Sequence, residues 1–278
     1  MISVIMGVYN IGNKDILRTS IDSILNQTYK NFEFIICDDG SNDNTYKVLQ
    51  CIAQKDKRIK LLRNNINLKA GVARNRCLKE AKGEFIAIMD ADDYSAPERL
   101  EKQKNFLIKN AEFDFVGCKG KYFNKKINDT NDEYWFCKYP KPKDFLVTLP
   151  FVHASIMFKK ESLLKVSGYS TSKKVMRSED YDLLMKLYVN GCKGANISNT
   201  LYYIRQDKNT FKRRKYRYRI NESIVKYKGF KALKLMPIGI VFVIKPLIVG
   251  LIPIKLLNKI KKIYYTKKEG DKLINEQI

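Results

Sequence analysis

Residues 85–100, FIAIMDADDYSAPERL, pass from an apolar run of strand length into three acids within four positions, Asp90, Asp92 and Asp93. Carboxylates this close repel one another unless a positive charge sits between them. Hard divalent cations such as Mg2+ and Mn2+ prefer carboxylate oxygens and need few protein ligands where phosphates supply the rest. A metal that grips a phosphate-bearing ligand at the end of a buried strand therefore accounts for the acids. The competing account is that Asp90 or Asp93 caps the turn and the helix after it.

Outward from this stretch the chain alternates. ISVIMGV (2–8) is a continuous apolar run of strand length, and in ILRTSIDSILNQ the residues Ile16, Leu17, Ser20, Ile21 and Ile24 recur at helical spacing. FEFIICDDGSNDNT reads as a strand ending in acids and turn residues, YKVLQCIAQK as a helix, and RIKLLRN as a third strand. AGVARNRCLKEAKG reads as a helix closed by Gly83 ahead of the strand at 85. Alternation of this kind implies right-handed crossovers and a mainly parallel α/β sheet, whose ligands sit beyond the carboxyl ends of the strands. Asp38, Asp39 and the acids at 90–93 all stand at such ends, which places both clusters on one crevice.

Further on, APERLEKQKNFLIKN reads as a helix with Pro97 near its first turn, and FDFVGCKGKYF as a strand pair. The stretch from Trp135 to Pro150 carries no usable period. ASIMFKK reads as a strand, ESLLKVSG as a short helix, SEDYDLLMKLYVNG as a helix ending at Gly191, and TLYYI as a strand.

The chain has 278 residues and a net charge of +24. Residues 201–278 hold 20 Lys and Arg against 5 Asp and Glu, so +15 of that charge lies in the last quarter and points to a polyanionic partner there. The stretch LMPIGIVFVIKPLIVGLIPIKLL (235–257) has two charges, Lys245 and Lys255, three prolines and lysines on both flanks. That pattern reads as an interfacial segment on anionic lipid headgroups; a true span and a buried core helix are the alternatives. The six cysteines form no C-x-x-C pair and read as reduced, and the N-terminus looks like a core strand with no signal peptide. A cytoplasmic protein follows, with a boundary near 215: a catalytic domain over 1–215 and a helical membrane-associating region over 216–278.

Four sets of residues could carry chemistry. Asp38 and Asp39 either bond a base or ribose or make an Asx-turn. Glu179 and Asp180 either complement a helix dipole or supply a general base. His153, the single histidine, stands among apolar neighbours and is structural or functional. Arg74 and Arg76 are phosphate partners or solvated helix charges.

Taken together, SVIMGVYN, SILNQTYKNFEFIICDDGSNDNT, GVARNRCLKEAKGEFIAIMDADD, HASIMFKKESLLKVSGY and SEDYDLLMKL resemble the family 2 glycosyltransferases of GT-A fold, over residues 1 to about 205. The resemblance implies a Rossmann-like catalytic domain and a nucleotide-sugar donor, with a uridine diphosphate sugar favoured. It implies that Tyr9, Asp39, Arg74 and Asp90 bind nucleotide, that Asp90 and Asp92 hold Mn2+ or Mg2+ with the diphosphate, and that Asp180 is the catalytic base, with Glu179 as runner-up. His153 is placed in the acceptor or diphosphate region. The implied reaction is a single displacement with inversion, onto a glycan or lipid-linked acceptor of the bacterial surface-polysaccharide type.

Two departures stand out. The first strand carries GVYN where a proline commonly precedes Tyr-Asn, and no Q-x-x-R-W motif of the processive synthases is present, which implies addition of one or a few sugars. The rival from another class is a nucleic-acid-binding protein, motivated by KRRKYRYR (212–219), where basic and aromatic residues interleave, but no recognised nucleic-acid motif accompanies it.

Overall fold

Strand β1 (Ile2–Val8) lies between β2 (Phe32–Asp38) and β4 (Phe85–Ile88), parallel to both, and β3 (Ile59–Arg63) extends the parallel set on the far side of β2. The computed structural model describes residues 1–130, 132–206 and 215–252. The continuous apolar sequence of β1 has a direct cause: both of its faces are covered. Val4, Met6 and Val8 pack with Leu17, Ile21 and Ile24 of α1 (Lys14–Leu25) and Leu49 of α2 (Thr45–Ala53). Ile5 packs on the other side with Ala73, Cys77 and Leu78 of α3 (Ala70–Glu80). Successive side chains of a strand point to opposite faces, so one strand feeds two cores.

α1 follows the expected spacing. Asn13 caps it, its side chain accepting the N–H groups of Asp15 and Ile16, and Leu17, Ile21 and Ile24 are fully buried. Each such side chain contributes on the order of 1.5–3 kcal/mol by leaving water. α3 ends at Glu80 without help from Gly83, because Ala81 is already extended (φ −70°, ψ 130°). Gly83 is instead required by β1: its N–H donates to Ser3 Oγ at 2.7 Å, and a Cβ there would stand 2.5 Å from the Ser3 nitrogen.

The rest of the sheet is mixed. β5 (Tyr94–Ser95), β6 (Phe115–Phe123), β7 (Met157–Lys159) and β8 (Gly194–Arg205) complete the order β3-β2-β1-β4-β7-β6-β8-β5. Four neighbouring pairs are parallel and three antiparallel, the latter being β4 with β7, β6 with β7, and β5 with β8. The stretch expected to form a strand pair is therefore one nine-residue strand. Its Gly117 makes room for the side chain of Asn196. α4 (Arg99–Lys109), α5 (Lys160–Lys165) and α6 (Glu179–Val189) stand where the sequence placed helices, with Gly191 in the left-handed region (φ 79°) past the end of α6.

α7 (Tyr216–Ala232) is packed on α6: Val225 and Phe230 join the apolar cluster of Leu183, Leu184 and Leu187, and Gly229 lies against the Met185 side chain. The boundary placed near 215 adjoins residues 207–214, outside the described residues. The apolar stretch from 235 is not one helix. A turn containing a cis Met236–Pro237 bond precedes α8 (Ile240–Leu251), and residues 253–257 lie outside the described residues. Twelve residues of helix make about 18 Å, short of the roughly 30 Å of a bilayer's hydrocarbon. Among the described residues no helix is long and apolar enough to cross a membrane.

Candidate active site

The carboxyl ends of β1, β2 and β4 meet at a hollow of about 370 Å3 lined by Tyr9, Asp39, Lys69, Asp90, Asp92, Arg177, Glu179 and Tyr218. A second hollow of about 340 Å3 adjoins it and is lined by Arg74, Asp90, Tyr134, His153, Arg177, Glu179 and Asp180. Asp90, Arg177 and Glu179 belong to both. Both acidic clusters of the sequence thus reach one crevice, with Asp180 one compartment away from Asp39 and Asp92. A larger hollow of about 650 Å3 between α1 and α2 is lined by none of these candidates.

The two aspartates at the end of β2 do different things. Asp38 is buried, accepts the Ser41 N–H at 3.2 Å and stands 3.4 Å from Arg63 Nε, so it makes the Asx-type turn. Asp39 accepts Asn64 Nδ2 (2.8 Å) and the Leu68 N–H (2.9 Å) on Oδ1, and the Lys69 N–H (2.8 Å) on Oδ2. It fastens the 64–69 loop beside the hollow, and a carboxylate has about four acceptor positions, so room for a further donor is left. Tyr9 follows β1 and is 43% exposed beside it.

Beyond β4, Asp90 Oδ1 accepts from Arg74 Nη2 at 2.6 Å. Burial acts to lower the Arg74 pKa, but the Asp90 charge outweighs it and the guanidinium stays charged. Arg76 does not join this site, donating instead to the Arg63 carbonyl and the Asn64 side chain. Asp93 is tucked under the turn, where it accepts the Arg205 N–H at 2.9 Å and the Tyr202 hydroxyl. Burial, then the charges of Asp92 and Asp90, hold its carboxyl well above the ordinary range. The three acids therefore do not converge on one point, and among the described residues no group of three or more ligating side chains could hold a metal. Asp90 and Asp92 do share the first hollow. Two hard oxygen donors beside a space of diphosphate size fit Mg2+ or Mn2+, which binds through one or two carboxylates when phosphates complete its shell.

In the second hollow His153 is held by Tyr169, whose hydroxyl lies 3.0 Å from Nε2 and whose ring meets the imidazole edge-on at 5.7 Å. Burial, reinforced by the Arg74 charge, pushes the histidine down to about 3, so the ring is neutral at physiological pH. Asp180 occupies the first turn of α6. Burial pushes its carboxyl up to about 6; the Glu179 charge adds to this while the Tyr181 N–H, donating at 2.8 Å, opposes it. A carboxylate poised near 6 is suited to accept a proton from a hydroxyl. Sequence reasoning missed Tyr134, Arg177 and Tyr218. Only Arg177 carried a signal, its place directly ahead of SED.

The profile of glycosyl transferase family 2 matches residues 3–167. The chain belongs to this family. The matched stretch holds the first hollow's strand-end acids and His153, while Asp180 lies beyond it. Among its relatives, the putative glycosyltransferase EpsE of Bacillus subtilis is 36% identical over 97% of this chain and 96% of its own. The Escherichia coli enzyme WfaP, a UDP-Glc:α-D-GlcNAc-diphosphoundecaprenol β-1,3-glucosyltransferase, is 30% identical over 84% of this chain and 88% of its own. Staphylococcus aureus TarS 1–349 with UDP-GlcNAc superposes with a TM-score of 0.66 at 20% identity, covering 90% of this chain and 71% of that one. The mannosyltransferase PcManGT of Pyrobaculum calidifontis, with GDP-Man and Mn2+, gives 0.60 at 17% identity over 95% and 79%. These likenesses show the fold, so this family 2 glycosyltransferase has a GT-A catalytic sheet.

Proposed function

We propose that this family 2 glycosyltransferase moves a sugar from a nucleotide-sugar donor, a UDP-hexose or UDP-N-acetylhexosamine, to a hydroxyl of a glycan or lipid-linked acceptor in surface-polysaccharide synthesis. The observation that carries the reading is the pair of adjoining hollows, one lined by Asp39 and Asp92, the other by Asp180, with Asp90 and Glu179 in both. In this reading Tyr9 and Asp39 hold base and ribose, Asp92 and Asp90 hold Mn2+ or Mg2+, and Arg74 fixes Asp90. The metal, when bound, offsets the charge that builds on the departing phosphate. Asp180 takes the acceptor's proton as the acceptor oxygen attacks the anomeric carbon. The bond from that carbon to the diphosphate breaks, and the configuration inverts. Neutral His153, held by Tyr169, offers a hydrogen-bonding wall for the acceptor or the diphosphate. The names of WfaP and of the TarS complex support the donor and acceptor classes, and that of the PcManGT complex supports the metal. Nothing favours the nucleic-acid reading: of KRRKYRYR, residues 212–214 lie outside the described residues and Tyr218 lines the first hollow.

The C-terminal helices support a peripheral position on the cytoplasmic face of a membrane, with 1–215 as catalytic domain and 216–278 as its membrane-associating region. α8 and the turn before it expose Ile238, Val241, Ile244, Ile248 and Leu251, and Lys228, Lys231, Lys234 and Lys245 are exposed nearby. The test of the reaction is a donor screen that reads nucleoside diphosphate release with Mn2+ present. One donor should be turned over by the native protein and not by Asp92→Ala or Asp180→Asn; equal turnover by both variants would sink the proposal.

A further inference from the structure

We infer that Arg177 is a ligand of the donor's diphosphate, set at the seam of the two hollows by a left-handed backbone; the inference rests on the transfer reading. Arg177 has φ 70°, a region that side chains other than glycine rarely adopt and that costs energy wherever it persists. The surroundings enforce it. The Ser178 N–H donates to the Val175 carbonyl at 2.8 Å, and Asn221 of α7 donates through Nδ2 to the carbonyls of Lys173 and Met176, each at 3.1 Å. A turn clamped from both sides presents one exposed side chain, which lines both hollows together with Glu179 and Asp90.

What that side chain lacks is as informative as where it stands. Arg74, the other arginine of the second hollow, is bound to Asp90 and its charge is matched. The Arg177 guanidinium pairs with no carboxylate and donates to no acceptor among the described residues, although Asp90 and Glu179 line the same two hollows. Of the residues that line both hollows it is the one cation, the others being Ala70, Asp90 and Glu179. A donor whose nucleotide lies in the first hollow and whose anomeric carbon faces Asp180 must pass its diphosphate across this seam. There a planar guanidinium binds phosphate oxygens two at a time. As the bond from the anomeric carbon to the diphosphate oxygen breaks, its electron pair remains on that oxygen. The acceptor's proton passes to Asp180, and Arg177 meets the charge gained by the leaving group.

The test uses the full chain with UDP, UMP and uridine as probes, Mn2+ present, and the variants Arg177→Gly and Arg177→Lys. Glycine suits the left-handed backbone, so Arg177→Gly should melt no lower than the native protein without nucleotide. It should bind UDP about tenfold to a hundredfold more weakly while its affinity for uridine is unchanged, which a merely structural arginine would not produce. Arg177→Lys should recover part of the UDP affinity, since it keeps the charge and loses the fork. UDP affinity of Arg177→Gly within twofold of native would overturn the inference and leave the transfer reading standing. Failure of the native protein to bind any nucleoside diphosphate, with UDP, GDP and CDP all tried, would overturn both.

Discussion

Asp180 sets a conflict between stability and chemistry that can be measured in both directions. Its carboxyl titrates at about 6 in the folded chain against an ordinary value of 3.8, because burial disfavours the charged form. A raised pKa means that the folded state binds the proton more tightly than the unfolded state. The ionised carboxylate therefore destabilises the fold above pH 6, and the effect vanishes below about 4, where both states are protonated. Asp180→Asn should thus raise the melting temperature at pH 7–8 and give no gain at pH 4, as thermal melts across that range would show. Transfer should fall about 10²–10⁴-fold in the same variant while UDP still binds. In the native enzyme kcat/KM should climb with pH through about 6; a rate flat from pH 5 to 7.5 would remove Asp180 as the base. The sequence showed Asp180 as one of two acids opening a helix and left dipole and base readings open. The environment that separates them is the second hollow, whose walls include Arg74, Tyr134 and His153 from distant parts of the chain, which no local pattern encodes.

At the scale of elements, the turn that carries Asp90 and Asp92 is held from beneath by α4. Arg99 is fully buried and donates to the Ile88 carbonyl at 2.7 Å, to the Ala154 carbonyl at 3.4 Å and to Gln103 at 3.1 Å. It joins α4 to the end of β4 and to the turn bearing His153, with Tyr202 stacked at 5.0 Å from its guanidinium carbon. Among the described residues no carboxylate pairs with it, so its bonds run to neutral acceptors. Arg99→Met should cost roughly 2–4 kcal/mol in urea unfolding, since a buried carbonyl and an amide lose their donor. Arg99→Lys should recover little, because one ammonium cannot span the same acceptors. The 85–100 stretch disclosed its strand and helix through period and punctuation, but nothing in its local pattern marks Arg99 as buried. Elements with a pattern of their own were legible for this reason: β1 is a continuous apolar run covered on both faces, and α1 and α6 bury a face that the spacing records. β6 was misread because its glycine answers to a strand distant in sequence, and Gly83 was misread because Ser3 is its partner.

At the scale of the molecule, the two cores on either side of the sheet bury most of the large apolar side chains among the described residues, and α8 leaves a row of them exposed. Its inner side is held by α7, where Val243 and Pro246 are buried and Gly250 fits against Arg219 and Tyr216. Its outer side exposes Val241, Ile244 and Ile248, three and four residues apart, with Ile238 (71%) and Leu251 (72%) at the ends. That spacing puts Val241, Ile244, Ile248 and Leu251 on one stripe of the helix, with Ile238 in the turn before it, an apolar surface of a kind that soluble chains rarely leave bare. The charge around it is one-sided, since residues 215–252 contain eight Lys and Arg against one Glu. An apolar stripe flanked by lysines matches the boundary between acyl chains and anionic headgroups, with Lys245 reaching outward to phosphate. Ile244→Asp with Ile248→Asp should leave the melting temperature within a degree or two, because both side chains are exposed in the folded chain. Binding to vesicles containing phosphatidylglycerol should fall by tenfold or more, since each isoleucine contributes on the order of 1.5–3 kcal/mol when it leaves water. Release of nucleoside diphosphate with a water-soluble acceptor should be unaffected, because the stripe lies outside both hollows. Vesicles of neutral lipid alone should bind the native chain more weakly, and added salt should weaken the anionic binding. Cosedimentation of the double variant equal to that of the native chain would mean that this face meets something other than lipid.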